Sequence, residues 1–158
     1  MLKKYKPYII SIAIALGVGA LAALLTKDNM NIYDRINMPP LSPPGWLFPI
    51  VWTILYILMG IGSARIFLEG KKMGKDVTSI LKVYAWQLAV NFIWSLIFFN
   101  MQAYLLSFAW IVVLWGLIYT MIKKFREVDV ISAKLQIPYL LWVSFAAYLN
   151  YMVWVLNR

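Results

Sequence analysis

Residues 83–122 read VYAWQLAVNFIWSLIFFNMQAYLLSFAWIVVLWGLIYTMI, 40 consecutive positions without a formal charge between Lys82 and Lys123. A helix needs about 20 apolar residues to cross the roughly 30 Å hydrocarbon layer, so this run holds two crossings. Asn100-Met101-Gln102 is the polar interruption and predicts a tight hairpin between spans at 80–100 and 104–122. On either side, uncharged runs of 20 residues after Lys6, 29 after Arg35 and 23 after Lys134 hold one crossing each. These predict spans at 5–26, 45–67 and 136–156. The expected fold is all-α, an integral membrane bundle of five transmembrane helices forming one domain over 1–158, with a long connection at 27–44.

Composition agrees. Of 158 residues, 63% are hydrophobic and 13% charged, with mean hydropathy +0.76. Soluble domains are about 45–50% apolar and about 25% charged. A soluble enzyme, a nucleic-acid binder and a disulfide-stapled secreted domain are excluded. The N-terminal apolar run is longer than a cleaved signal and carries a small-residue stripe, Ala15, Gly19 and Ala23, suited to helix packing. It is read as a retained first span.

Net charge is +9. Placed on the five spans, twelve Lys and Arg fall on the N-terminal side against Lys27, Arg35 and Arg158 on the other. Such a bias sets membrane orientation. It predicts a multi-pass protein of the cell membrane with a cytoplasmic N-terminus, the first loop and the C-terminus outside, and no nucleic-acid partner.

The chain has no Cys and no His, and its six acids all fall in predicted loops. Thiol catalysis, zinc sites, His-ligated haem and Ser-His-Asp triads are excluded, and an intramembrane carboxylate relay is disfavoured. No resident cofactor or metal is expected. What remains is aromatic: eight Trp, ten Tyr and eight Phe.

At 100° per residue, Tyr84, Gln87, Asn91, Trp94 and Phe98 fall within a wedge of about 80° on the third span, with Ala85 and Ala89 opposite. Gln87 and Asn91 fit either interhelical hydrogen bonds or the polar anchors of a pocket. Their company, Trp94 and Phe98, favours the pocket. Ala85 and Ala89 fit close packing inside the bundle or a seam between two copies. The second span presents Trp52, Tyr56 and Gly60 on one face. The fifth presents Tyr139, Trp142, Ala146, Asn150 and Val153. Tyr5, Tyr8, Trp46, Tyr104 and Trp154 lie where headgroup-level anchors are expected.

These residues carry a resemblance. Pro43-Pro44-Gly45-Trp46-Leu47-Phe48-Pro49-Ile50-Val51-Trp52-Thr53-Ile54-Leu55-Tyr56 with Met59-Gly60 resembles the second-helix signature of the translocator protein family. That family is also called tryptophan-rich sensory protein or peripheral benzodiazepine receptor, and a bacterial member is the expectation here. Gln87-Leu88, Asn91, Trp94 and Phe98-Phe99 resemble its third helix. Pro138-Tyr139-Leu140, Trp142, Phe145-Ala146 and Leu149-Asn150-Tyr151 resemble its fifth.

The resemblance implies a five-helix bundle, commonly a homodimer in membrane lipid, with a cavity opening toward the first loop. Family ligands are tetrapyrroles such as protoporphyrin, sterols in eukaryotic members, and benzodiazepine or isoquinoline compounds. Some bacterial members promote light-dependent protoporphyrin breakdown. Carried over, the ligand-binding residues are Tyr33, Trp52, Tyr56, Asn91, Trp94, Trp142 and Ala146, with Trp52 and Trp142 in the photochemical, catalytic role. Such activity would need no conventional acid–base residues. The alternatives are a transmembrane carrier of porphyrins and a ligand-responsive sensor or scaffold. The basic residue that closes the family's sterol-recognition segment is replaced by Val155, so sterol binding through that motif is not expected. Propionates of a porphyrin are expected near the second span's N-terminus after Pro44, assisted by Lys27 and Arg35.

Overall fold

The structure, a computed structural model, describes residues 2–158 apart from the side chains of Leu2 and Tyr33. Helix α1 (Leu2–Thr26) runs into a 3₁₀ helix at Lys27–Asp34. There follow α2 (Leu47–Met73), α3 (Thr78–Ser95) continued by a π turn at Leu96–Asn100, α4 (Tyr104–Arg126), the short α5 (Val130–Leu135) and α6 (Ile137–Asn157). Among the described residues these give five helical segments long and apolar enough to cross a membrane, and no strand.

The boundaries differ from the apolar runs where charge and helix part company. α2 continues past Phe67 through Glu69, Lys71 and Lys72, because charge halts membrane burial without halting helix formation. It ends where Gly74 adopts the left-handed conformation (φ 65°) and its N–H caps the carbonyls of Gly70 and Lys71. The last crossing is preceded by α5, whose first turn is capped by the Asp129 carboxylate accepting from the Ser132 N–H. The polar hairpin at 100–102 is present, with Gln102 at φ 51°.

The spans form an open ring. α1 packs on α2 and α3, α3 on α4, and α4 on α6, while α5 wedges between α2 and α4. α2 and α6 close the ring through side chains, since their backbones stay apart. The α1–α2 contact is intimate because Gly60 has no side chain: a Cβ there would lie 2.5 Å from the Ile12 Cα. One half of the ring is solid, with Met59, Ile66, Ile118, Met121, Phe125 and Val143 fully buried. The half beneath the 27–46 connection is not.

That connection is fastened at several points. The Asn37 N–H donates to the Asn157 Oδ1 (2.8 Å) and the Asn157 amide donates back to the Asn37 carbonyl (2.9 Å). The Tyr148 hydroxyl donates to the Pro40 carbonyl, and the Asn29 amide to the Asn100 Oδ1. The connection and the α6 C-terminus therefore share one end of the bundle.

The α3 wedge points inward, all five members buried, while Ala85 and Ala89 are exposed. Close packing of those two alanines inside the bundle does not occur. Tyr104, expected as an anchor, instead rests partly buried on Phe98, ring centroids 5.2 Å apart.

Candidate functional site

In the loop-side half lies a cavity of about 600 Å³, within the range usual for small-molecule sites, about 300–1,000 Å³. α2 supplies Phe48, Trp52 and Tyr56, α3 supplies Asn91 and Trp94, the π turn supplies Phe99, and α6 supplies Trp142 and Ala146. α1 contributes Leu16, Gly19, Ala22, Ala23 and Thr26. The mouth is lateral: Ala20 and Ala23 of α1 and Pro49 and Thr53 of α2 are lining residues that remain exposed, with Met30, Asp34 and Gly45 on the rim.

The aromatic wall is a mutually braced set. Trp52 lies 5.9 Å from Tyr56 at an interplanar angle of 32°, and 6.5 Å from Trp142 at 87°. Trp52 also meets Tyr139 edge-on at 6.4 Å. Edge-to-face and tilted geometries suit the ring quadrupoles and leave flat faces available for a guest. Tyr56 sits where it does because Gly19 leaves room: a Cβ on that residue would come within 2.5 Å of the phenol ring.

Polar groups are few and mostly committed. The Asn91 amide donates to the Tyr139 hydroxyl (2.8 Å), which donates to the Gln87 Oε1 (2.6 Å). The Tyr56 hydroxyl donates to the Asn91 Oδ1 over a longer 3.4 Å. The Trp94 indole N–H donates to the Asn150 Oδ1 (3.0 Å), whose own amide donates to the Tyr104 carbonyl. With no water in the hydrocarbon layer to satisfy them, these groups tie α2, α3, α4 and α6 together at fixed positions. Gln87 thus belongs to interhelical hydrogen bonding and does not line the cavity. Asn91 does both.

The structure brings Trp52, Tyr56, Asn91, Trp94, Trp142 and Ala146 around one cavity. Tyr33 belongs to the 3₁₀ helix, and its side chain lies outside the described residues. The charge at the rim is the acidic Asp34; Lys27 and Arg35, expected to assist an anion there, do not line the cavity. Neither Phe99 nor the α1 residues stand out in the sequence as lining residues. The Gly19–Ala23 spacing was visible as a small-residue stripe, whereas Phe99 turns inward through the π turn, which no helical period announces.

Residues 11–155 match the family model described as TspO/MBR family. The chain belongs to the TspO/MBR family. It is 39% identical to the tryptophan-rich protein TspO of Chlorobaculum tepidum over 92% of each chain. It is 38% identical to the protein CrtK of Rhodobacter capsulatus over 79% of this chain and 78% of that one. It is also 35% identical to the translocator protein of Ovis aries over 80% and 75% respectively. Family membership and five apolar crossing helices make this TspO/MBR protein a multi-pass membrane protein.

Proposed function

We propose that this membrane protein binds a tetrapyrrole of the protoporphyrin class in the cavity and promotes its light-dependent oxidation. The observation that carries the reading is the wall itself: Trp52, Tyr56, Trp94 and Trp142 around about 600 Å³, with Asn91 as the central polar anchor. A porphyrin is a flat apolar disc with two carboxylates on one edge. Its face suits stacking on one of Trp52 and Trp142, whose rings stand at 87°, with the other indole against its edge, and its carboxylate edge suits the lateral mouth. There Gly45 is exposed at the rim, while Asp34 disfavours an anion beside it and Leu47 already spends its N–H on the Pro44 carbonyl. With no His or Cys in the chain, a metal-free porphyrin fits better than haem held by an axial bond.

In light, an excited porphyrin beside Trp52 or Trp142 takes one electron from the indole and passes it to dissolved oxygen, giving superoxide; the indole radical cation left behind is refilled by an electron from the porphyrin, so the ring carries the net one-electron oxidation. The same cavity suits benzodiazepine and isoquinoline compounds, flat and mostly apolar. A carrier role is less well supported, because the inner half of the ring is filled by Met59, Gln87 and Tyr139. The basic excess on one end favours a cytoplasmic N-terminus, with the cavity mouth toward the outside. A homodimer would cover the exposed α3 face of Ala85, Trp86 and Ala89.

Titrating protoporphyrin into reconstituted protein, following tryptophan quenching in the dark and then absorbance under illumination, tests the reading. Saturable quenching with one guest per chain is expected, followed by light-dependent loss of the porphyrin bands. Absence of saturable quenching overturns the binding; bleaching no faster than in empty vesicles overturns the photochemistry.

A further inference from the structure

Outside the ring, on the lipid-facing seam between α2 and α6, lies a second hollow of about 440 Å³. Val51, Ile54, the buried Leu55, Pro138, Leu141 and Phe145 form this groove with Trp142, and Leu141 is 65% exposed, so the groove opens onto hydrocarbon. It shares one residue with the internal cavity, Trp142. The Trp142 indole therefore faces the cavity on one side and the groove on the other.

That indole is held differently from three of the others. The ring N–H groups of Trp94, Trp110 and Trp115 each donate to a defined oxygen, on Asn150, Val90 and Ser144. The Trp142 Nε1 is buried without a hydrogen-bond partner. Its ring is braced by aromatic neighbours, Phe48 at 5.7 Å, Phe145 at 5.8 Å and Trp52 at 6.5 Å, and by the apolar core. Rotating it toward the groove breaks no hydrogen bond and moves an apolar surface from one apolar setting to another. Helices α2 and α6 meet there mainly through side chains, so it is side chains that must move to open the way.

We infer that Trp142 is the door of a lateral portal, through which the cavity's flat apolar guest passes between the site and the hydrocarbon layer by way of the α2–α6 groove. The inference rests on the porphyrin-binding reading above. It makes this groove the main route to that site for a guest arriving from the membrane, ahead of the lateral mouth between α1 and α2. A guest that partitions into membrane would reach the site without passing the acidic rim at Asp34.

A door differs from a binding contact in its kinetic signature. Obstructing it slows entry and exit by the same factor and leaves the dissociation constant alone, whereas losing a contact raises the exit rate and the dissociation constant together. The chain has no native cysteine, so Leu141→Cys can be labelled in detergent with a bulky thiol reagent that fills the groove, then reconstituted. Leu105→Cys, an exposed position on α4 away from the groove, carries the same label as the control. Stopped-flow tryptophan quenching by protoporphyrin is then read in phosphatidylcholine vesicles. For labelled Leu141→Cys, both rate constants should fall about tenfold, with the dissociation constant unchanged within about twofold. The labelled control should match the unlabelled protein. Unchanged rates in labelled Leu141→Cys overturn the portal and leave the α1–α2 mouth as the route. A raised dissociation constant driven by faster exit also overturns it, making Leu141 part of the site's packing. Absence of saturable quenching in the unlabelled protein overturns the binding reading and the portal with it.

Discussion

The Asn91 amide and the Tyr139 hydroxyl meet at 2.8 Å between α3 and α6, both residues about 1% exposed. The pair stands at the junction of the solid and hollow halves of the ring. Tyr139 uses its hydroxyl twice, accepting from Asn91 and donating to Gln87 at 2.6 Å. Tyr56 reaches Asn91 only at 3.4 Å. The two phenols therefore contribute unequally. Tyr139→Phe strands the Asn91 donor and the Gln87 acceptor in a dry interior and should cost about 1–3 kcal/mol. Tyr56→Phe removes one long hydrogen bond and should cost no more than about 0.6 kcal/mol. Equilibrium unfolding in mixed micelles checks the ranking, and equal losses would contradict it.

A second contrast concerns the indoles. Trp94 has its N–H committed to Asn150 and its ring stacked on Phe98 at 5.3 Å. Trp94→Phe leaves the Asn150 Oδ1 short of a donor and should lower stability by about 1 kcal/mol. Trp52→Phe strands no acceptor, and Trp142→Phe removes a donor that has no partner. Those two variants should keep stability near wild type and bind protoporphyrin about 2–10-fold more weakly, the worth of one lost stack. Light-driven porphyrin loss at saturating guest should nevertheless fall more than binding does. Bleaching rates at matched occupancy provide the check.

Glycine positions separate packing from site shape. At Gly60 an added Cβ meets the Ile12 main chain, which cannot yield without moving α1. Gly60→Ala should destabilise by about 1–3 kcal/mol, the usual cost of overpacking. At Gly19 the obstacle is the Tyr56 ring, a side chain beside a cavity with room to swing. Gly19→Ala should cost less stability and more ligand affinity, because the displaced phenol moves into guest space. Measuring melting temperature and protoporphyrin affinity on both variants tests for this crossover.

Much of this was legible in the sequence, for identifiable reasons. The five spans follow from charge-free runs, since a bilayer penalises charge that an aqueous surface accepts freely. The α3 wedge from Tyr84 to Phe98 was readable because helical phase holds to Trp94 and the π turn advances it by only one residue. That residue is why Phe99 also turns inward unannounced. The α1 side of the cavity was obscure because Gly19, Ala22 and Ala23 shape space by lacking bulk and carry no chemistry of their own. α5 was missed because six residues make too short an apolar pattern to detect, although Asp129 three positions before Ser132 is an N-cap signal. The acidic rim at Asp34 was beyond reach, since it depends on how the 3₁₀ helix aims its side chains.

Asp129 also allows a test by pH. Its carboxylate accepts from the Arg65 Nε at 2.7 Å and Nη2 at 3.3 Å, and from the Ser132 hydroxyl and N–H at 2.7 and 3.2 Å. It thereby joins α2 to the start of α5. The Arg65 guanidinium first, and Ser132 after it, hold the Asp129 carboxyl below the usual carboxylate range. A group whose folded value is lowered contributes stability above its ordinary value, about 3.9, and loses that contribution as pH falls through the folded value. Asparagine keeps a capping oxygen but not the charge, so Asp129→Asn should cost about 0.5–1 kcal/mol near neutral pH. Alanine removes the cap as well, for about 1 kcal/mol more. The gap between wild type and Asp129→Asn should stay level from pH 7 to pH 5 and close below about pH 4. Unfolding midpoints measured across that range decide it: a gap that widens on acidification would mean that the protonated carboxyl, and not its ion pair with Arg65, secures this corner.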